Sequence, residues 1–158
     1  MRIGLLIPKI TGGGAEKFVK RLAEELQTYQ EIYVIIYSND NKSEKYGFKV
    51  LAIDNEKFKQ FRQLRRWRKL IALKKELGLD VCISFLENPN ALNIISRTKK
   101  CKSYISIRNY KSKQLKGLKG KIYALIIRYL YKYADLIITN AKKSRRDLID
   151  NFGLDKLK

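Results

Sequence analysis

Apolar positions along the chain fall into two alternating rhythms. Short aliphatic runs such as IGLLI, YVIIY and DLIIT are nearly continuous, as parallel strands buried on both faces require. Strands are expected over Arg2–Ile7, Ile32–Tyr37, Lys49–Ile53, Asp80–Phe85, Ser103–Ile107 and Leu136–Thr139. Between them, apolar residues recur at three- and four-residue steps, which predicts helices over Ala15–Tyr29, Lys57–Leu77, Asn88–Arg97, Leu118–Tyr133 and Lys142–Asn151. Strand–helix alternation implies right-handed crossovers, hence an α/β, Rossmann-like, doubly wound parallel sheet. The expected strand order is 3-2-1-4-5-6, within one domain spanning residues 1–158.

On such a sheet ligands bind beyond the carboxyl ends of the strands, so chemistry is sought just after each one. The first strand leads into Pro8-Lys9-Ile10-Thr11-Gly12-Gly13-Gly14-Ala15-Glu16, then a helix whose Phe18, Val19, Leu22 and Leu26 share a face. Glycines at this junction let backbone N–H groups approach a phosphate, whose charge the helix dipole favours. A tight turn needing positive φ would select glycine as well. No Gly-Lys-Ser/Thr follows, which excludes a Walker A loop, and Lys17 stands where a dinucleotide fingerprint needs Gly or Ala. The fourth strand runs into Ser84-Phe85-Leu86-Glu87-Asn88-Pro89-Asn90 and the fifth into Ser106-Ile107-Arg108-Asn109. A lone carboxylate such as Glu87 is more often a helix cap or surface charge than a base; its place at a strand terminus makes it a candidate.

Charge changes the picture. Thirty-five Lys and Arg against 15 Asp and Glu give a net +20, which points to a polyanionic partner: nucleic acid, anionic lipid or a phosphorylated substrate. A lysine-rich composition would spread such an excess evenly, yet no Asp or Glu occurs from Arg97 through Ala134. The Lys57–Leu77 segment interleaves Lys57, Lys59, Arg62, Arg65, Arg66, Arg68, Lys69, Lys74 and Lys75 with Phe58, Phe61, Leu64, Trp67, Leu70, Ile71 and Leu77. That is a basic amphipathic helix, and a core-facing helix with a solvated back would read the same way. Arginine forks suit phosphate, and near an anionic leaflet each cation adds about 1 kcal/mol. Arg62, Arg65, Arg66 and Lys69 are therefore candidates to meet lipid headgroups or a diphosphate.

The remaining composition mostly excludes. Apolar residues at 45% and charged residues at 32% describe a globular chain. Cys82 and Cys101 show no CxxC spacing and histidine is absent, so neither a metal site nor a disulfide framework is indicated, and with the Walker A and dinucleotide motifs excluded no cofactor is expected. The Ile3–Ile7 run is too short for a signal peptide, and no stretch of about 18 apolar residues offers a membrane span. The expected location is cytoplasmic, peripheral on the membrane face. Charge and ten Tyr would also suit a basic nucleic-acid-binding module, but the tyrosines are scattered and no base-reading motif occurs. Nucleic acid is therefore not the expected partner.

Taken in order, Gly13-Gly14-Ala15-Glu16-Lys17, DVCISFLENPN, SYISIRN and ADLIITNAKKSRRDLIDNFGL resemble the N-terminal domain of family 4 glycosyltransferases, especially those extending lipid-linked saccharides and surface polysaccharides. The resemblance covers nearly the whole chain. It implies one half of a GT-B fold, binding a membrane-associated, polyprenyl-diphosphate-linked acceptor for retaining, metal-independent transfer from a nucleotide sugar. Gly13 and Gly14 match the family's glycine pair and would approach the donor's diphosphate. Glu87, Asn88, Asn90, Arg108 and Asn109 would line the acceptor cleft. Where the family carries a catalytic histidine this chain has Arg108-Asn109, which with Glu87 are the catalytic candidates. The family's donor-binding domain would follow Leu157-Lys158, near the expected hinge. The chain is accordingly expected to be a fragment, an excised domain or half of a split enzyme, inactive alone, or else a catalytically silent docking half.

Overall fold

The computed structural model describes residues 1–38, 46–54, 61–115 and 117–154. Lys57, Phe58 and Lys59 of the basic helix, and Leu157-Lys158, lie outside the described residues. Six parallel strands form one sheet: β1 (Arg2–Leu6), β2 (Glu31–Ile36), β3 (Lys49–Ala52), β4 (Val81–Phe85), β5 (Lys102–Ile107) and β6 (Leu136–Thr139). Their order is β3-β2-β1-β4-β5-β6, the doubly wound arrangement that the apolar runs and helical intervals imply. Register follows from the buried runs, with Gly4 of β1 opposite Tyr33 of β2 on one side and Cys82 of β4 on the other.

The helices are α1 (Gly14–Leu26), α2 (Arg62–Glu76), α3 (Glu87–Ile95), α4 (Lys111–Gln114), α5 (Gly117–Leu130) and α6 (Lys142–Phe152). A tight 3-10 turn, Tyr131–Tyr133, ends the α5 segment where the sequence pattern expects a continuous helix. The strand period of two sorts β1 between two cores. Ile3, Leu5 and Ile7 pack with Val19 and Ala23 of α1, while Leu6 packs with Leu70 and Leu73 of α2 and Leu92 of α3. A third cluster joins Ile105 and Ile107 of β5 to Ile127 of α5 and Leu148 and Phe152 of α6. Each fully buried aliphatic side chain of this kind stabilises the fold by about 1.5–3 kcal/mol. Cys82 and Cys101 are buried free thiols.

Two features depart from the sequence reading. Helix α4 is not foreseen; Ser112 N–H at its start donates to the Asp147 carboxylate of α6 at 3.1 Å. A side chain at Gly120 would come within 2.5 Å of the Leu115 carbonyl carbon, so glycine permits the close turn from α4 into α5. The second departure is Lys74, which is not on a solvated basic face but buried. It lies one helical turn past Leu70 and so shares its inward face. Its ammonium donates to Asn93 O (3.0 Å), Asn93 Oδ1 (2.8 Å), Ser96 O (3.2 Å) and Ser103 Oγ (3.3 Å), supplying positive charge where the carbonyls of α3 end.

Candidate functional site

The glycine loop is organised by an acid that the sequence motif contains but does not explain. Glu16 Oε2 accepts from Thr11 N (2.7 Å), Thr11 Oγ1 (2.8 Å), Gly12 N (2.6 Å) and Gly13 N (3.0 Å). Burial pushes this carboxyl upward, but the hydrogen bonds from Gly13, Thr11 and Gly12 outweigh it and hold the group at about 2. Gly12 takes φ +131, which favours glycine, and so wraps the loop around the carboxylate. The Gly13 amide is thereby committed to Glu16. Gly14 and Ala15, the first two residues of α1, instead line the cleft, and N–H groups at these helix positions have no partner within the helix.

That cleft holds about 460 Å³ at the carboxyl ends of β1, β4 and β5. Asn90, Arg108 and Asn109 line it, with Leu86 and Ser106 of the same strand-end segments, together with Lys111 and Asn140, which the strand-end reading passes over. Asn90 is fixed by buried neighbours: Ser84 Oγ donates to its Oδ1 at 2.8 Å, and its Nδ2 donates to Ser106 O at 3.2 Å. One turn later, Asn93 Nδ2 donates to Cys82 O (2.8 Å) and Tyr104 O (2.9 Å), bolting α3 to β4 and β5. Leu86 enters α3 with φ +75 and ψ 161. For a non-glycine residue that conformation costs on the order of 1–3 kcal/mol, and it turns the chain from β4 into α3 without a connecting loop.

Charge in the cleft is arranged rather than scattered. The Arg108 guanidinium sits 3.7 Å from the centre of the Phe18 ring, which holds it at the cleft wall. Lys111 is buried and ion-pairs with Glu87, so Glu87 stands against an ammonium instead of facing the cleft as a free carboxylate. Asn88 also lies outside the lining; its Oδ1 accepts from Tyr123 of α5 at 2.8 Å. An apolar groove of about 350 Å³, formed by Phe18, Leu22, Ile83 and Ile138, continues from the cleft past Arg108. Amide donors at a helix start, the Arg108 guanidinium and three asparagines suit a polar, anionic, hydroxyl-rich ligand.

The four α2 candidates lie elsewhere along the same edge, beyond β3. Arg66 donates to Asp54 at 2.9 Å, with Arg62 at 3.4 Å and Arg65 at 3.6 Å from the same carboxylate. The Asp54 side chain is only 2% exposed. Arg66 also covers the Tyr37 ring, 4.1 Å from its centre, and burial pushes that phenol upward. Lys69 is exposed beside this cluster. Among the described residues no helix is long and apolar enough to cross a membrane, and no group of three or more Cys, Asp or Glu could hold a metal ion.

The model of the family described as Glycosyltransferase Family 4 matches residues 12–158. Over 168 aligned residues the chain is 26% identical to the N-acetylgalactosamine-N,N'-diacetylbacillosaminyl-diphospho-undecaprenol 4-alpha-N-acetylgalactosaminyltransferase of Campylobacter jejuni subsp. jejuni serotype O:2, covering 99% of this chain and 46% of that protein. Anabaena Alr3699/HepE, solved with UDP-glucose, superposes with a TM-score of 0.72 at 16% identity, over 96% of this chain and 40% of that one. The lipopolysaccharide outer core galactosyltransferase WaaB, in its apo form, gives 0.68 at 12% identity, over 96% and 42%. The chain thus spans less than half the length of each of these relatives.

Proposed function

The chain belongs to glycosyltransferase family 4, and from that membership and the cleft we propose that it binds the acceptor in sugar transfer from a nucleotide sugar to a membrane-anchored, polyprenyl-diphosphate-linked saccharide. Its sheet has the fold of GT-B glycosyltransferases, the class of its structural neighbours. The observation that carries the reading is convergence: the start of α1, Asn90, Arg108, Asn109 and Lys111 meet in one cleft. The Campylobacter relative acts on a diphospho-undecaprenol saccharide, and the Anabaena relative was solved with UDP-glucose.

Each residue then has a task. Gly14 and Ala15 offer amides toward the donor's diphosphate, with Gly13 and Glu16 shaping the loop beneath them. Asn90 and Asn109 hydrogen-bond acceptor hydroxyls, and Arg108 supplies positive charge where phosphate charge gathers. Glu87 acts by holding Lys111 in place, and Asn88 by tying α3 to α5.

Titration of the chain with a water-soluble, short-prenyl diphosphate-linked saccharide tests this. Arg108→Gln should raise Kd about tenfold, the loss of one charge-assisted contact. An unchanged Kd, or displacement of the ligand by duplex DNA at matched salt, would overturn the assignment.

A further inference from the structure

Helix α5 leaves a row of large apolar side chains in solvent. Leu118 is 77% exposed, Ile122 52%, Leu125 55% and Tyr129 57%, and Tyr133 on the following 3-10 turn continues the row. Their four- and three-residue steps place them on one face, while Ile127 on the opposite face is buried against β5 and α6. At about 100° per residue, Lys121, Arg128 and Lys132 all fall along one flank of this stripe, and all three are exposed. Lys132 Nζ lies over the rings of Tyr129 and Tyr133, at 5.9 Å and 5.3 Å from their centres. The whole segment from Arg97 to Ala134 lacks an acid.

We propose that this face of α5 docks in the plane of an anionic membrane, with Leu118, Ile122, Leu125 and Tyr129 entering the headgroup boundary and Lys121, Arg128 and Lys132 meeting lipid phosphates. The inference rests on the membrane-anchored acceptor proposed above and names the surface that brings the chain to it. Charge complementarity selects the occupant. A protein partner of ordinary composition would offer the flanking cations few fixed anions, whereas an anionic leaflet presents them continuously. Tyrosine at the stripe's end suits the same depth, polar at its tip and apolar along its ring. At about 1.5 Å per residue the 14 residues of α5 run about 21 Å, fitting a helix that lies in the interface rather than one that spans. Docking also sets the cleft. Tyr123, on the inner side of α5, donates to Asn88 of α3, so the wall that carries Asn90 stands one helix thickness, about 10 Å, from the lipid. A diphosphate held at headgroup depth is then within reach of the cleft while its prenyl chain stays in the bilayer.

Vesicle flotation with the chain decides this, using phosphatidylcholine alone and phosphatidylcholine with one third phosphatidylglycerol. The parent should bind the anionic vesicles, with affinity falling as salt rises. Leu118→Gln with Ile122→Gln and Leu125→Gln should weaken binding about 100-fold. Lys121→Gln with Arg128→Gln and Lys132→Gln should weaken it about tenfold or more and flatten the salt dependence. Separately, Leu125→Trp should shift its emission to the blue on anionic vesicles. A parent that ignores anionic vesicles, or an apolar triple variant that binds like the parent, overturns the proposal. So does a parent dimer in sedimentation that the apolar variant dissolves, which would assign the stripe to a second copy of the chain. The soluble-acceptor titration keeps the two readings apart. Lost vesicle binding with unchanged acceptor Kd supports docking through α5, whereas vesicle binding without any acceptor affinity sinks the transferase reading and leaves the docking.

Discussion

Helices α2 and α5 are written in nearly the same code, lysine and arginine interleaved with large apolar residues, and the fold uses them in opposite ways. In α2 several of the polar residues are drawn into the protein, while Arg68 and Lys69 stay exposed. Arg62, Arg65 and Arg66 surround Asp54, Trp67 Nε1 donates to Ile95 O at 2.9 Å, and Lys74 ends α3 from within the core. In α5 only one side is drawn in, and Leu118, Ile122 and Leu125 face out beside their cations. The difference does not reside in either helix. It resides in the acids available nearby: Asp54 lies 12 residues before Arg66, while no acid occurs anywhere from Arg97 to Ala134. A basic amphipathic pattern therefore specifies two faces, and the rest of the chain decides what each one meets.

Neutralising three cations on each helix gives the largest expected contrast. Arg62→Gln, Arg65→Gln and Arg66→Gln together strand a carboxylate that the fold keeps from water, which should cost about 3 kcal/mol and lower Tm by roughly 10 °C. Adding Asp54→Asn should recover more than half of that loss, since the stranded charge disappears with it. The matching change on α5, Lys121→Gln with Arg128→Gln and Lys132→Gln, should stay within about 0.5 kcal/mol because these groups are exposed. Equal shifts in the two melting curves would erase the distinction between the helices.

Lys74→Met sharpens the contrast inside α2 itself. Methionine fills most of the lysine stem but leaves the Asn93 side-chain carbonyl and the Ser96 backbone carbonyl without the ammonium donor, for a loss of about 2 kcal/mol in denaturant melts. Amide exchange should quicken at the end of α3 more than in α1. A neutral result would mean that the ammonium is replaceable by packing alone, and that α2 is less committed to the interior than its hydrogen bonds imply.

Much of this architecture is legible in the sequence because it is periodic. The apolar runs mark all six strands, and their alternation with helical spacing gives the parallel order. Position at the strand ends marks the segments that hold Asn90, Arg108 and Asn109, since strand ends on one sheet converge, but it marks Glu87 and Asn88 equally, and these two turn away from the lining. What stays hidden depends on partners distant in the chain. Lys74 reads as one more surface cation, because Ser96 and Ser103, 22 and 29 residues away, give no local sign that they receive it. Lys111 reads as part of a basic run until α4 turns it toward Glu87. Glu16 is visible within its motif, but the geometry that folds Thr11, Gly12 and Gly13 onto its carboxylate is a property of the loop. The stripe on α5 escapes for another reason. Periodicity shows that Leu118, Ile122 and Leu125 share a face, but not that this face points away from the sheet.

A small expected effect is also the most discriminating, because it asks whether the α5 stripe contributes to the fold at all. Leu118→Gln, Ile122→Gln and Leu125→Gln exchange apolar side chains for polar ones of similar length. Glutamine is close to leucine in helix propensity and slightly better than isoleucine, so the backbone has no reason to respond. The three residues are already half or more exposed, and the glutamine methylenes still cover part of what they shield. Their combined change should therefore stay within about 1 kcal/mol. Ile127→Ala, on the buried side of the same helix, removes side-chain atoms from a closed core and should cost about 3 kcal/mol by itself. Thermal melts of the two variants side by side separate the faces of α5 without any ligand. If the triple variant melted as low as Ile127→Ala, the stripe would be packed within the folded chain, and α5 would belong with α2. A melt that barely moves leaves three large apolar side chains maintained on a surface where folding makes no use of them.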